Sequence, residues 1–126
     1  MNTLNVIGGV LFGLYFVMMG AMHFKNSHML AQYANSKKVP YPKIAVIFTG
    51  LMLFVGGLSI LLDSVNVQLF ASQRNFGAWL IIVFLFFVSF MMHAFWKDTN
   101  PQEKMMNMTH FMKNWALLAA ALMLLK

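Results

Sequence analysis

The side chains that can do chemistry in this chain are histidines, a lysine and an asparagine that interrupt long apolar stretches. His23 and His93 stand near the C-terminal ends of two such stretches, and His110, Lys113 and Asn114 stand in the last one. Imidazole, ammonium and amide groups donate hydrogen bonds to oxygen acceptors, which suits a polar or redox-active ligand. We take six residues as the candidate ligand-binding set: His23, His93, Trp96, His110, Lys113 and Asn114.

Spacing within the last stretch supports this choice. Asn107, His110 and Asn114 follow one another at i, i+3 and i+7, so they share one stripe of a helix, and Glu103 extends that stripe. Ionisable residues inside a membrane are costly and are candidates for function. We therefore expect His110 and Asn114 to face the interior and to hydrogen-bond toward His93 or helix carbonyls.

A structural role is the alternative for these residues. Histidine and tryptophan sit at headgroup level because their rings are amphipathic, and a lysine can extend its ammonium to the surface. We favour that role for His23, His28 and Trp96, whereas His93 and the polar residues of the last stretch favour an inward one. Lys113 is expected to reach the interface from the edge of the group.

The sequence gives less support to a metal site or to a catalytic site. Imidazole binds zinc, copper and iron, and a pair of histidines can hold haem, so either site remains an alternative. The chain contains no cysteine and no HxxxH or ExxH spacing, and its few carboxylates offer no partner for a catalytic base. We expect no catalytic residue and no metal ligand.

Composition places these residues in a membrane protein. Of 126 residues, 60% are hydrophobic and 10% are charged, and the mean hydropathy is +0.70. Disordered chains have low hydrophobicity, and soluble domains carry about 25% charged residues. A core this small cannot hide so many apolar side chains from water. Basic residues between apolar segments are typical of topology signals, so we expect no nucleic-acid partner despite the net charge of +6.

Four apolar segments position the candidate residues. They cover about residues 4–24, 44–62, 76–96 and 105–125, each near the roughly 20 residues that a spanning helix needs. The sequence thus predicts an all-α protein, an integral membrane four-helix transmembrane bundle forming a single domain over residues 1–126. In the first loop, Met29, Leu30, Tyr33 and Ala34 share one face, which predicts a short interfacial helix over about 28–36 with Ser27 as its N-cap.

Basic residues set the expected orientation. Residues 25–43 and 97–108, counted together with Lys113, carry seven lysines, whereas Arg74 and Lys126 are alone on the other face. The positive-inside rule then places the lysine-rich loops in the cytoplasm and both termini outside, with the candidate residues at the cytoplasmic end. We expect the inner (plasma) membrane of a bacterium.

Glycines mark expected close helix contacts. Gly9, Gly13 and Gly20 lie on one face of the first segment, and Gly50 and Gly57 are one heptad apart in the second. Small residues let membrane helices approach closely. The Gly9/Gly13 face serves packing inside one bundle or, alternatively, a homo-oligomer.

Several of these motifs together resemble the DoxX family of small four-helix membrane proteins. The matching stretches are residues 93–96 (HAFW), 108–118 (MTHFMKNWALL), 49–51 (TGL), 56–58 (GGL) and 20 with 23–24. The resemblance covers essentially the whole chain. It implies the four-helix fold and an association with quinol oxidase or thiosulfate:quinone oxidoreduction, while more distant relatives look like membrane chaperones.

The expected function follows from this resemblance together with the polar residues. It is an accessory, non-catalytic membrane subunit of a larger respiratory or redox complex, with quinone or lipid bound at the polar end. A membrane chaperone or assembly factor without a redox ligand is the alternative. A small transporter is a third, although the middle of the first three segments offers few polar residues.

Overall fold

The computed structural model describes residues 2–126, and all regular structure in that range is helical. Five α-helices follow one another, and a single 3-10 turn, Phe95–Lys97, lies between the last two. The α-helices are α1 (Thr3–Lys25), α2 (Ser27–Ser36), α3 (Pro42–Ser64), α4 (Gln73–Met92) and α5 (Pro101–Leu124). The expectation of an all-α protein is confirmed.

Three segments are long and apolar enough to cross a membrane. They are Thr3–Lys25, Pro42–Ser64 and Gln73–Lys97, of 23, 23 and 25 residues. They correspond to the first three predicted spans, so the chain has the character of an integral membrane protein. Helix α5 has 24 residues but is polar over its first half, and it does not belong to this set.

Helix boundaries differ from the predicted ones where capping residues intervene. Helix α3 begins at Pro42, two residues early, because proline fits the first helical position, where its missing N–H is not needed. Helix α5 begins at Pro101, four residues early. The Asn100 side chain caps it by accepting hydrogen bonds from the backbone N–H groups of Gln102 and Glu103. Helix α4 ends at Met92, four residues early.

The predicted helix in the first loop exists, with a different buried face. It begins at Ser27 itself and its N-cap is Asn26, so the assignment of Ser27 as the cap is wrong. Ala31 and Ala34 are buried against Val46 of α3, whereas Met29 points outward. Alanine at these positions lets the backbone of α2 approach α3 closely.

Glycines bring α1 and α3 into backbone contact. A Cβ atom on Gly20 would lie 2.6 Å from the backbone nitrogen of Phe54, and one on Gly57 would lie 2.6 Å from the carbonyl oxygen of Gly13. Gly9 is buried beside Ser64 of α3. Of the two uses predicted for the glycine face, packing inside one chain is the one that this structure contains.

Helices α4 and α5 each pack on the long helix that precedes them in the chain. Helix α4 packs on α3, and α5 packs on α4 and on the 3-10 turn. One apolar core joins them, and Phe16 of α1, Leu53 of α3, Leu85 of α4 and Ala121 of α5 all belong to it. This arrangement brings the end of α4 beside the first half of α5, where the candidate residues lie.

Candidate functional site

Asn107 is the centre of the polar group at the end of α4. Its side chain is 1% exposed, and it bridges two partners that precede it in the chain. Its Oδ1 lies 3.2 Å from Nδ1 of His93, and its Nδ2 donates a 2.7 Å hydrogen bond to Oδ2 of Asp98. Asn107 therefore connects α5 to two residues that follow the end of α4.

Asp98 and Lys37 extend this group to α2. The Lys37 ammonium lies 3.7 Å from Oδ1 of Asp98 and 3.7 Å from Oε1 of Glu103. The Asp98 side chain is 8% exposed, so its charge is balanced by an ammonium and a donor amide in a poorly hydrated place. A continuous polar chain thus runs from Lys37 through Asp98 and Asn107 to His93.

His93 and His110 form a pair of neighbouring rings that are tilted relative to each other. Their centroids lie 4.9 Å apart and their planes are inclined by 34°. Because Asn107 uses its amide nitrogen toward Asp98, its oxygen must accept, and Nδ1 of His93 carries the proton. In the neutral ring, Nε2 of His93 is then an acceptor. Among residues 2–126, no hydrogen bond engages that nitrogen or either ring nitrogen of His110.

An aromatic cluster lies next to this pair in the chain and spans α4, the 3-10 turn and α5. The rings of Phe95 and Phe111 are 5.5 Å apart, and those of Trp96 and Phe111 are 5.6 Å apart, both edge-on. Trp96 is 49% exposed, so it has both ring contacts and an open face. The members of this aromatic cluster are Phe86, Phe90, Phe95, Trp96, Phe111 and Trp115.

Lys113 and Asn114 lie at the margin of the site. Lys113 is exposed. Asn114 faces the interior and is 7% exposed, but within residues 2–126 its amide makes no hydrogen bond. The expectation that Asn114 hydrogen-bonds to another helix is therefore wrong. Asn107, seven residues earlier on the same stripe, makes those contacts instead.

His23 lies apart from the other two histidines. Its Nδ1 is 2.8 Å from the carbonyl oxygen of Met19, and its ring lies edge-on to Phe84 at 6.0 Å. Phe84 precedes His93 by nine residues, about 13 Å along a helix. His23 is thus level with Gly50 of α3 and Phe84 of α4, and α4 continues beyond Phe84 to Met92. The common depth predicted for the three histidines therefore does not bring them together.

No cluster suited to a metal ion appears in the described part of the chain. Within residues 2–126, no three His, Cys, Asp or Glu side chains come close enough to share an ion. The arrangement of His93 and His110 is instead suited to hydrogen bonding, because one ring has a fixed tautomer and its neighbour has both nitrogens available.

A second polar cluster lies at the opposite end, between the end of α3 and the start of α4. Arg74 donates a 2.6 Å hydrogen bond from Nε to Oδ2 of Asp63 and a 3.1 Å bond to Oγ of Ser64. Gln73 closes the intervening loop by bonding the carbonyl oxygens of Ser59 and Val67. All four polar side chains of this set, Asp63, Ser64, Gln73 and Arg74, are at most 4% exposed.

Sequence reasoning missed both Asp98 and the Asp63–Arg74 pair as interior groups. Asp98 precedes the Asn-Pro break and has the composition of a loop, and Asp63 stands at the end of an apolar segment. One feature of the sequence could have predicted the Asp63–Arg74 pair. The two residues carry opposite charges and stand only eleven residues apart, at the two ends of one short connection. Such a connection folds back and brings its two ends together.

In comparisons with known proteins, no family model, no curated protein and no solved structure matches the chain.

Proposed function

We propose that the protein is an accessory, non-catalytic membrane subunit of a quinone-linked redox complex, and that it binds a quinone or a lipid headgroup at His93 and His110. The observation that supports this most is the ring pair itself, with centroids 4.9 Å apart and three of its four ring nitrogens left unengaged by protein groups in residues 2–126. In this proposal the partner subunits carry out electron transfer, and this chain holds the ligand beside them.

Hydrogen bonding explains why a quinone or quinol would fit. Asn107 fixes the proton of His93 on Nδ1, so Nε2 can accept a hydrogen bond from a quinol hydroxyl. His110 supplies a second ring, whose N–H can donate to a quinone carbonyl. Donor and acceptor side by side allow the same place to hold both the oxidised and the reduced ligand.

The aromatic cluster supplies the apolar part of such a site. Phe90 contacts Trp96, Phe111 and Trp115 with ring centroids 5.6–6.2 Å apart. Phe90 and Trp96 are also 42% and 49% exposed, which leaves ring faces open to the surroundings. Ligand pockets combine apolar and aromatic walls with a few polar groups, and this end of the molecule offers both.

The membrane arrangement belongs to the same proposal. Helix α5 crosses as the fourth span, since its 24 residues measure about 36 Å and Leu118 and Ala121 join the common core. Its polar residues are tolerated because Asn107 is buried against His93 and Asp98 rather than facing lipid. The lysine-rich loops lie in the cytoplasm of a bacterium and both termini lie outside. The resemblance to the DoxX family supports this architecture and the redox association.

Quinone retention tests the proposal. The His93→Ala variant, purified in mild detergent from native membranes, should retain several-fold less quinone per protein than the parent, as measured by extraction and mass spectrometry. His28→Ala is the matched control, because His28 is exposed on α2 and contacts only Gln32 by hydrogen bonding. It should retain as much quinone as the parent.

Two results would count against the proposal. Equal quinone in His93→Ala and in the parent would mean that the ring pair has a structural role. Purification without any quinone, but with a changing set of bound membrane proteins, would favour the chaperone or assembly-factor function instead.

A further inference from the structure

A separate pocket lies between the end of α2 and the end of α4. Its volume is about 260 Å³, and its polar lining consists of Ser36, Lys37, Lys38, Lys97 and Asp98. Two neighbouring lysines come from the C-terminal end of α2, and the third comes from the 3-10 turn. The pocket therefore collects basic groups from two parts of the chain that are about 60 residues apart.

The charges in this pocket are not balanced. Lys37 is paired with Asp98 and Glu103 at 3.7 Å each, so the one lining carboxylate already has a cationic partner. Lys38 and Lys97 are exposed, and within residues 2–126 neither has a carboxylate within 4.0 Å. The Ser36 hydroxyl donates its hydrogen to the carbonyl oxygen of Tyr33. The pocket thus presents two ammonium groups to a ligand, and these donors suit a phosphate.

The remaining wall of the pocket is apolar and belongs to a candidate membrane span. Met91 and Ala94 line it, and both lie near the end of the segment Gln73–Lys97. Met91 is 44% exposed, so the apolar wall continues onto the outer surface of α4. A ligand with an anionic head and an apolar body matches this combination better than a free ion does.

The backbone at Lys38 is left-handed, as it is at Tyr41, Asn66 and Ser72. Its φ is 62°, in the left-handed region that glycine adopts at lower cost. The residue closes α2, since the N–H of Val39 bonds to the carbonyl of Ala34 across it. Glycine is the common residue at such a helix end. A glycine at position 38 would therefore fit this backbone.

We propose that this pocket binds the phosphate of an anionic membrane lipid, held by Lys38 and Lys97 with the acyl side of the lipid along Met91. Basic pockets at the membrane surface between helices are suited to such headgroups. The site differs from the His93–His110 pair and does not depend on quinone binding. A lipid bound in this pocket anchors α2 to the membrane surface, in addition to the packing of α2 on α3.

Native mass spectrometry of the full chain in detergent, titrated with phosphatidylglycerol, tests this. The parent should bind one phosphatidylglycerol more tightly than phosphatidylcholine, whose headgroup carries a compensating positive charge. Lys38→Gly and Lys97→Gln should each weaken phosphatidylglycerol binding about fivefold. Lys38→Gly is the decisive variant, because glycine suits the left-handed backbone and the fold should not be weakened. Its thermal unfolding midpoint should be equal to or above that of the parent, so a loss of binding would come from the missing ammonium.

Lys104→Gln is the matched control, because Lys104 is an exposed lysine of the same region that does not line the pocket. It should leave phosphatidylglycerol binding unchanged. Equal loss in Lys104→Gln, or unchanged binding in both pocket variants, would overturn the proposal. Inorganic phosphate should displace the lipid only at far higher concentration. Displacement at equal concentration would show that the pocket takes free phosphate and not lipid.

Discussion

Nε of Arg74 lies 2.6 Å from Oδ2 of Asp63, and their side chains are 5% and 3% exposed. This pair connects the end of α3 to the start of α4, and Gln68 adds a 3.1 Å hydrogen bond to the other carboxylate oxygen. Removing Asp63 takes the carboxylate away from a buried guanidinium, whereas removing Arg74 leaves Asp63 with the Lys126 ammonium, 3.6 Å from Oδ2.

Breaking this pair should destabilise the protein strongly. Asp63→Asn should cost about 3–5 kcal/mol of unfolding free energy in detergent, since it leaves the Arg74 guanidinium without its carboxylate. Glu103→Gln is the control, because the Glu103 side chain is 46% exposed in its pair with Lys37, and it should cost at most about 1 kcal/mol. Replacing both Asp63 and Arg74 by apolar residues should cost less than Asp63→Asn alone. Similar losses in the Asp63 and Glu103 variants would contradict this account.

The glycine contact between α1 and α3 gives a second prediction. A Cβ atom on Gly13 would lie 2.7 Å from the carbonyl oxygen of Gly57 and 2.8 Å from the backbone nitrogen of Leu61, neither of which can move away alone. Gly13→Ala should therefore destabilise by about 1–3 kcal/mol or more. A Cβ on Gly8 would meet no atom within 4 Å, so Gly8→Ala should be neutral or slightly stabilising. Equal unfolding midpoints for the two variants would show that α1 and α3 do not pack this way.

Two asparagines on one stripe of α5 should respond differently to the same substitution. Asn107→Leu removes the partner of both His93 and Asp98 and should cost about 1–3 kcal/mol. Asn114 makes no hydrogen bond, and within residues 2–126 no unpaired side-chain polar atom is buried, so its amide lies at the accessible edge of the residue. Because no hydrogen bond is lost, Asn114→Leu should be neutral or slightly stabilising. Unfolding of each variant in detergent measures the difference. A greater loss in Asn114→Leu would reverse the assignment of Asn107 as the centre of the site.

Orientation can be measured directly because the chain contains no cysteine. Ala71 and Gln102 are both exposed, the first in the connection between α3 and α4 and the second at the start of α5. If the lysine-rich loops are cytoplasmic, a membrane-impermeant maleimide should label Ala71→Cys in intact cells and Gln102→Cys only after permeabilisation. The opposite pattern would invert the proposed topology.

Much of the fold could be predicted because hydropathy and capping act locally. The three apolar spans and the short helix after α1 follow from runs and spacing within a few residues. The glycine contact between α1 and α3 was also predictable, since glycine repeats at heptad spacing on both helices leave two faces without side chains.

The polar end was harder to predict because its geometry depends on relative helix heights. Asn107 and Asn114 occupy the same stripe and are equivalent in the sequence, yet only Asn107 is level with the residues that end α4. The depth of His23 depends on where α1 meets α3, at Gly20 and Gly50, and this places it beside Phe84 instead of His93. Spacing along one helix does not determine such offsets between helices.

The order of helix contacts has a consequence for biosynthesis. Because α3 packs on α1, α4 on α3 and α5 on α4, each of these three helices finds its main partner already made when it leaves the ribosome. Helix α2 is the exception, since it packs chiefly on α3, which follows it. Of the four long helices the most polar, α5, comes last, when His93 and Asp98 are in place to receive Asn107. Assembly can thus proceed from the N-terminus onward, and no buried amide has to wait in lipid for a partner still to be synthesised.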